Sequence, residues 1–327
     1  MKKKLVVGVL MGGPSSERAI SLVTGEAIYK NLDRKKYIIK RIELTLKCQF
    51  VFVPDKGRKR VLDLANKDRA FVDVMFIALH GTPGEDGTVQ GMLQLLGIRC
   101  TGPNTLASSV AMNKVRTADI YRAAGIPTPE FVAFTKAEWH KNTTSILDEI
   151  GKFGFPVVVK PVDQGSAVGV SIPKNKADLQ ADIARAFKKF NWLMVQRYIR
   201  GSEATCGVLE KRGLPFALPP THILPNYGEF YDFASKYKSG GSTHICPADF
   251  DDSINEKIQE IAIKAHRALW CRGMSRTDVF VDEQKKVWAI ETNTIPGMTP
   301  TSLLPEAAAK GGIPFSEMLD LIILASL

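Results

Sequence analysis

Between Lys4 and Met11 the chain is one unbroken apolar run, Leu5-Val6-Val7-Gly8-Val9-Leu10-Met11, and it stops at Gly12-Gly13-Pro14. A strand without polar alternation has both faces covered, as in a parallel sheet flanked by helices. Ser15 or Ser16 then offers a helix cap, and Ile20, Val23 and Ala27 recur at helical spacing. The pattern returns downstream. Residues 73–79 read as a second apolar strand ending at His80-Gly81, and Val89, Met92, Leu93 and Leu96 make an i, i+3, i+4, i+7 helix face. Residues 37–46 and 49–53 also read as strands. Strand, loop and helix in this order predict an N-terminal parallel sheet with ligands at the carboxyl ends of its strands, where the Gly12 and His80 loops lie.

The stretch Gly125-Ile126-Pro127-Thr128-Pro129 ends a helix and reads as a connector. Strands are predicted at residues 156–161 and 169–172, joined by the loop 162–168. A helix at 176–190 follows, then a strand at 192–199. Beyond Gly201 the pattern is α+β, centred on two strands, 276–281 and 286–293, that turn at 282–285. A length of 327 residues suits two or three compact units. The divisions fall at residues 1–104, 105–200 and 201–327, so the fold class is α/β with an α+β C-terminal part.

Composition removes several functions. The five cysteines are scattered with no C-x-x-C pair, and the five histidines make no H-x-x-x-H pattern, which excludes a disulfide framework and a zinc site. No apolar run approaches the roughly 18 residues needed to span a bilayer. The N-terminus imitates a signal peptide for ten residues, but no small-residue cleavage site follows; a cytoplasmic protein is expected. The net charge of +10 raises nucleic-acid binding as a reading. Its basic residues are dispersed, however, and no recognition motif accompanies them, so a field for anionic phosphates accounts for the charge equally well.

The strongest chemical signal lies near the C-terminus. Asp278 sits on one predicted strand, and Glu291 and Asn293 lie two apart on the next, which puts them on one face opposite it. Three oxygen donors without nitrogen or sulfur suit Mg²⁺, although a polar outer sheet face has the same pattern. Ile290, Val279 and Val281 are expected to alternate inward against these acids. Lys160 ends the strand Val157-Val158-Val159 and precedes the glycine-rich Gly165-Ser166-Ala167-Val168-Gly169. A lysine beside such a loop can neutralise a phosphate while loop amides cover it; the P-loop pattern is absent, and a plain hairpin is the alternative. Two further loops, 80–87 and 293–302, are dense in polar groups and glycines.

Taken in order, six motifs complete the picture: G-G-x-S-x-E-R (residues 12–18), H-G-x-x-G-E-D-G (80–87), V-K-P…G-S-x-V-G (159–169), Y-D-x-x-x-K-Y (231–237), R-x-D (276–278) and E-x-N-T-x-P-G-M-T…S (291–302). Their collinear order resembles the D-alanine–D-alanine ligase family of the ATP-grasp superfamily, over residues 4–325. The resemblance implies an ATP-grasp fold with an N-terminal substrate domain, a small central domain and a C-terminal catalytic domain with a mixed sheet. It implies ATP-dependent joining of two D-alanines through an acylphosphate, for peptidoglycan precursors. Two Mg²⁺ ions, with Mn²⁺ as an alternative, would be held by Asp278, Glu291 and Asn293. Lys114 and Lys160 would contact ATP phosphates, Glu203 the ribose and Lys236 the γ-phosphate region, while Gln196 and Ile199 would line the nucleotide site. Glu17 would hold the first D-alanine's ammonium, linked through Ser166 to Tyr237 on a closing loop, with His80 bordering that subsite. Arg276 and the Gly297 N–H would stabilise the tetrahedral oxyanion, and Ser302 would receive the second D-alanine's carboxylate.

Two positions depart from the family: Gln196 stands where glutamate is common at the adenine hinge, and Ala234 replaces an acidic residue of the closing loop. Tyr237, neutral at pH 7, favours an amine over a hydroxy acid as second substrate. Competing readings are a D-lactate or D-serine ligase and a non-catalytic nucleotide-binding protein. Single residues also have plain structural roles open to them: Lys114 as a helix-surface lysine, His80 as a strand-end histidine, His140, His222 and His266 as structural or exposed, Tyr227 and Trp192 as packing. His244, seven residues beyond Tyr237, is not placed by these patterns. Small molecules are the expected partners, with neither nucleic acid nor membrane, and a homodimer is left open.

Overall fold

The N-terminal apolar run is the centre of a six-stranded sheet in the computed structural model, which describes residues 4–165, 167–226 and 241–327. Strands β1 (Leu5–Gly12), β2 (Tyr37–Leu44), β3 (Phe50–Val53), β4 (Arg60–Val61), β5 (Val74–Ile77) and β6 (Arg99–Cys100) run in the order β4-β3-β2-β1-β5-β6. β1 pairs in parallel with β2 and β5, and β5 with β6. The expected parallel sheet is therefore mixed, since β3 and β4 add antiparallel at one edge. The physical reason is the connection: from Leu44 to Phe50 there is room for a turn but not for the crossover a parallel strand needs. Helices α1 (Arg18–Asn31) and α2 (Thr88–Leu95) follow β1 and β5. No serine caps α1. Glu17 is its N-cap residue, and Ser15 Oγ instead accepts from the Glu17 N–H at 3.0 Å.

Helices α3 (Thr105–Met112) and α4 (Lys114–Ala123) lead to a three-stranded antiparallel sheet, order β7-β9-β8, built from β7 (Phe131–Thr135), β8 (Val157–Pro161) and β9 (Trp192–Arg197). Helices α5 (Lys136–Gly151) and α6 (Lys176–Ala186) cover it through Trp139, Ile146, Ile150, Leu179 and Ile183. The strand expected at residues 169–172 reduces to one bridge, in which Val159 and Ser171 exchange two 2.9 Å hydrogen bonds. Proline sets both limits: Pro161 and Pro173 lack the N–H that the next rungs require.

The third sheet is antiparallel, order β13-β12-β10-β14-β15, with β11 beside β10. Its strands are β10 (Gly201–Lys211), β11 (Leu214–Ala217), β12 (Thr221–Pro225), β13 (Ser242–Ile245), β14 (Met274–Asp282) and β15 (Val287–Asn293). One face packs on α7 (Asp252–Ala268), burying Ile258, Ala262, Val279 and Ala289. Helices α8 (Leu303–Lys310) and α9 (Phe315–Leu324) join the core of the N-terminal sheet, where Leu304, Ala308, Met318 and Ile322 meet Val7, Phe76 and Leu79. At ~25 cal/mol per Å² of apolar surface, this shared core holds the loops after β1 and β5 against the loop after β15. No helix among the described residues is long and apolar enough to cross a membrane.

Candidate functional site

β14 and β15 carry the centre of the site. Arg276 pairs in register with Asn293, and Asp278 with Glu291, so all four share one face. On the opposite face Thr277 and Thr292 touch at 2.9 Å, and Tyr121 of α4 reaches Thr292 at 2.6 Å, fixing the strands from behind. The ladder then slips. Asp278 pairs with Glu291 but Val279 pairs with Ala289, which leaves Ile290 as an extra residue. Such a bulge re-aims a strand locally. Ile290, expected to point inward, lines a cavity with Phe280 and Glu291, while Val279 and Val281 are buried as expected.

Asp278 is almost fully buried and receives four hydrogen bonds. Thr205 Oγ1 and Arg276 Nε donate to its Oδ1 at 2.6 and 3.0 Å, and Arg276 Nη2 and Asn293 Nδ2 donate to its Oδ2 at 3.0 and 3.1 Å. Its carboxylate is thus fixed in place. Glu291 Oε2 pairs with Lys114 Nζ at 2.8 Å, and the same ammonium donates to the Gln164 carbonyl at 2.7 Å. Lys114 opens α4, whose cap is Asn113 accepting from the Arg116 N–H. The side-chain amide of Asn293 and the two carboxylates form an all-oxygen set suited to a hard cation. Each carboxylate engages a protein cation here, Arg276 at Asp278 and Lys114 at Glu291, and the donor chemistry, all oxygen, is of the kind Mg²⁺ takes.

On one side of this centre a cavity is lined by Lys114, Lys160, Gln196, Ile199, Glu203 and Glu291. Lys160 is buried, and its ammonium donates to Gln196 Oε1 at 2.7 Å. Lysine only donates, which fixes the Gln196 amide with its oxygen toward Lys160, and Gln196 Nε2 lies 3.4 Å from the Pro129 carbonyl. Burial, and secondarily the nearby Lys114 cation, pull the Lys160 pKa down to about 8, against a smaller opposing effect of Glu291. An anionic ligand would raise that value again. Affinity for a polyphosphate-like anion in this cavity is therefore expected to hold below pH 8 and to fall as the pH rises above it. Calorimetric titrations from pH 7 to 9.5 measure this, and Lys160→Met should flatten the profile.

On the other side a second cleft gathers Glu17, His80, Arg276, Asn293, Gly297 and Ser302. Glu17 and His80 follow β1 and β5, which are neighbours in the sheet. The loops approach so closely that a side chain at Gly81 would lie 2.5 Å from Ser15 Oγ and 2.8 Å from Glu17 Oε2, and Gly81 also has φ +67°. The buried His80 ring sits 3.0 Å from Thr24 Oγ1 and 3.8 Å from Glu85 Oε1. Ser302 Oγ accepts from the Thr299 N–H at 3.1 Å and lies 2.7 Å from Thr299 Oγ1, while a side chain at Gly297 would crowd that same oxygen at 2.9 Å.

Ser166, Lys236 and Tyr237, with the rest of the expected closing loop and Tyr227, lie outside the described residues. Three features of the site have no counterpart in the sequence reading: the Gln164 carbonyl on Lys114, the Ile290 bulge, and His244, which lines the second cleft. His222, read from sequence as structural or exposed, is buried; its ring pairs with Asp249 at 2.5 Å, packs on Phe250 and lines the first cavity.

Known proteins share this layout. The family model for the D-ala D-ala ligase C-terminus matches residues 120–324, and that for the N-terminus matches residues 6–69 and 54–103. A D-alanine--D-alanine ligase of Syntrophobacter fumaroxidans is 42% identical over 324 residues, covering 98% of this chain and 97% of the relative. That of Pelotomaculum thermopropionicum is 39% identical, with 98% and 96% covered. Among solved structures, VanG D-Ala:D-Ser ligase from Enterococcus faecalis superposes with a TM-score of 0.88 at 29% identity, over 99% of this chain and 100% of that one. D-alanine--D-alanine ligase from Bacillus anthracis complexed with ATP gives 0.81 at 33% identity, over 98% and 97%.

Proposed function

Since the chain belongs to the D-alanine–D-alanine ligase family, we propose that it joins two D-alanines at the expense of ATP, making a dipeptide for the cell wall in the cytoplasm. The observation that carries this reading is the meeting of two clefts at one ladder: Glu291 faces the first, and Arg276 and Asn293, two rungs away, face the second. A nucleotide in one would present its terminal phosphate to an amino acid in the other.

In this reading Glu17 takes the ammonium of the first D-alanine and leaves its carboxylate directed at the β14–β15 centre. Lys114 and Lys160 draw the phosphates into the opposite cavity, with Gln196, Ile199 and Glu203 around the nucleoside. Carboxylate attack on the γ-phosphorus releases ADP and forms an acylphosphate, converting a poor electrophile into one with a good leaving group. Mg²⁺ held by Asp278, Glu291 and Asn293 would supply charge to screen the phosphate oxygens. The amine of a second D-alanine, its carboxylate received at Ser302, then attacks the carbonyl after losing a proton. Arg276 and the Gly297 N–H stabilise the resulting oxyanion, and phosphate departs.

The test is an ADP-release assay with D-alanine, D-serine, D-lactate and L-alanine, followed by chromatography of products. D-Alanyl-D-alanine should dominate at pH 7.5, with little ester from an equimolar D-lactate mixture. Predominant D-alanyl-D-serine would favour the specificity of the VanG match, and no amino-acid-dependent ADP release would sink the reading. Glu17→Gln removes a charge-assisted bond worth roughly 1.5–3 kcal/mol. It should raise the KM of the first D-alanine by about one to two powers of ten with nucleotide affinity unchanged. An unaltered KM would remove Glu17 from that subsite.

A further inference from the structure

His244, on the wall of the second cleft, holds a carboxylate behind it, Glu306, that the ligation chemistry does not use. Glu306 lies in the first turn of α8, one turn beyond Ser302, and its N–H donates to the Ser302 carbonyl at 3.0 Å. Ser302 is the extended N-cap of this helix, so the Glu306 carboxylate is placed relative to it through His244, which contacts Glu306 and lines the cleft together with Ser302. An acid in a first turn complements the helix dipole. Here, however, it lies one helical turn from Ser302, where the preceding reading brings a substrate carboxylate, and like charges at close range disfavour binding.

His244 occupies the gap. Its Nδ1 lies 3.1 Å from Glu306 Oε2, its Nε2 lies 3.1 Å from Ser242 Oγ, and it lines the cleft together with Ser302, Gly297 and Arg276. An ionised carboxylate only accepts, so Nδ1 carries the proton toward Glu306 and, in a neutral ring, Nε2 accepts from the Ser242 hydroxyl. The ring is therefore held from both ends, one on β13 and one on α8. Its side chain is 21% exposed and that of Glu306 29%, so the pair is partly screened from water, and its histidine faces the cleft.

We propose that His244 is a positioning residue for the second amino acid: it ties the Glu306 carboxylate to β13 and so keeps that charge from opposing the substrate carboxylate at Ser302. This rests on the assignment of Ser302 to the second carboxylate. It makes the acceptor subsite selective for how negative charge is distributed near α8, a property separate from the phosphate chemistry at β14 and β15.

The decisive experiment is a cycle of His244→Ala, Glu306→Gln and the double variant. Steady-state rates are measured over D-alanine ranges that separate the donor and acceptor subsites. His244→Ala should raise the acceptor KM roughly tenfold while leaving kcat, the donor KM and the ATP KM near the parent values. Glu306→Gln alone should leave the acceptor KM at or below the parent value. The double variant should return to within about twofold of the parent, because the freed charge is gone. An acceptor KM unchanged in His244→Ala would overturn the proposal. So would a double variant as impaired as His244→Ala, since lost packing would not be rescued by removing a charge. If His244→Ala does not fold, a Glu306→Gln variant whose acceptor KM rises tenfold would overturn it as well. Failure of the ligase reading itself would appear separately, as absence of D-alanine-dependent ADP release by the parent protein.

Discussion

Glu291→Gln is expected to lower kcat by roughly 10³-fold or more while the protein stays folded. The substitution keeps the shape of the side chain and an oxygen that can still accept from Lys114 Nζ, now 2.8 Å away, but it removes the charge. Charge stabilisation by a bound metal is worth several kcal/mol in the transition state, and each 1.36 kcal/mol is a factor of ten in rate. The pair is largely buried, with 10% and 22% of the two side chains accessible, so the loss of one charge is expected to cost some stability without unfolding the protein. The measurement is steady-state turnover at saturating Mg²⁺ beside a thermal melt. Near-normal turnover with an unchanged melt would take Glu291 out of the reaction.

Arg276→Lys should cost roughly 10²–10³-fold in kcat, the loss seen when one oxyanion donor is removed. The guanidinium engages Asp278 through two nitrogens, each at 3.0 Å, and Nε also reaches Thr205 Oγ1 at 3.1 Å. A lysine can bring the charge but not the planar fork, so Asp278 loses one of its bonds and the cation loses its fixed direction. The expected signature is a fall in kcat with the first D-alanine's KM little changed. A kcat within tenfold of the parent would show that orientation at this position is immaterial.

Much of the site was legible because its residues sit at strand ends or alternate along strands. The Gly12 and His80 loops were readable as strand ends once β1 and β5 were read as apolar strands of one parallel sheet, Glu17 came from the motif resemblance, and Asp278, Glu291 and Asn293 followed from counting by twos. The same counting misplaced Ile290. Val287 and Ala289 face the core, and strict alternation from them would send Glu291 there too; only pairing with the neighbouring strand reveals the extra residue. Helix α5 did carry a local signal, a reciprocal cap between Thr135 and Glu138, which the reading of the central region passed over. His244 and the Lys160–Gln196 pair carried none. Their partners lie 62 and 36 residues away, and no periodicity links residues brought together by tertiary packing alone.

The bulge at Ile290 also separates what the sheet needs from what the site needs. Removing that single residue would leave Asp278 opposite Glu291 and Val279 opposite Ala289 in an uninterrupted ladder, a sequence every bit as able to form a sheet. What would vanish is one apolar residue of the cavity that also holds Lys114 and Lys160, together with the extra twist a bulge imparts. A chain shortened at this position is expected to keep the sheet while losing activity. A one-residue deletion is thus a cleaner instrument than any substitution for asking how far β15 must be bent to do its work.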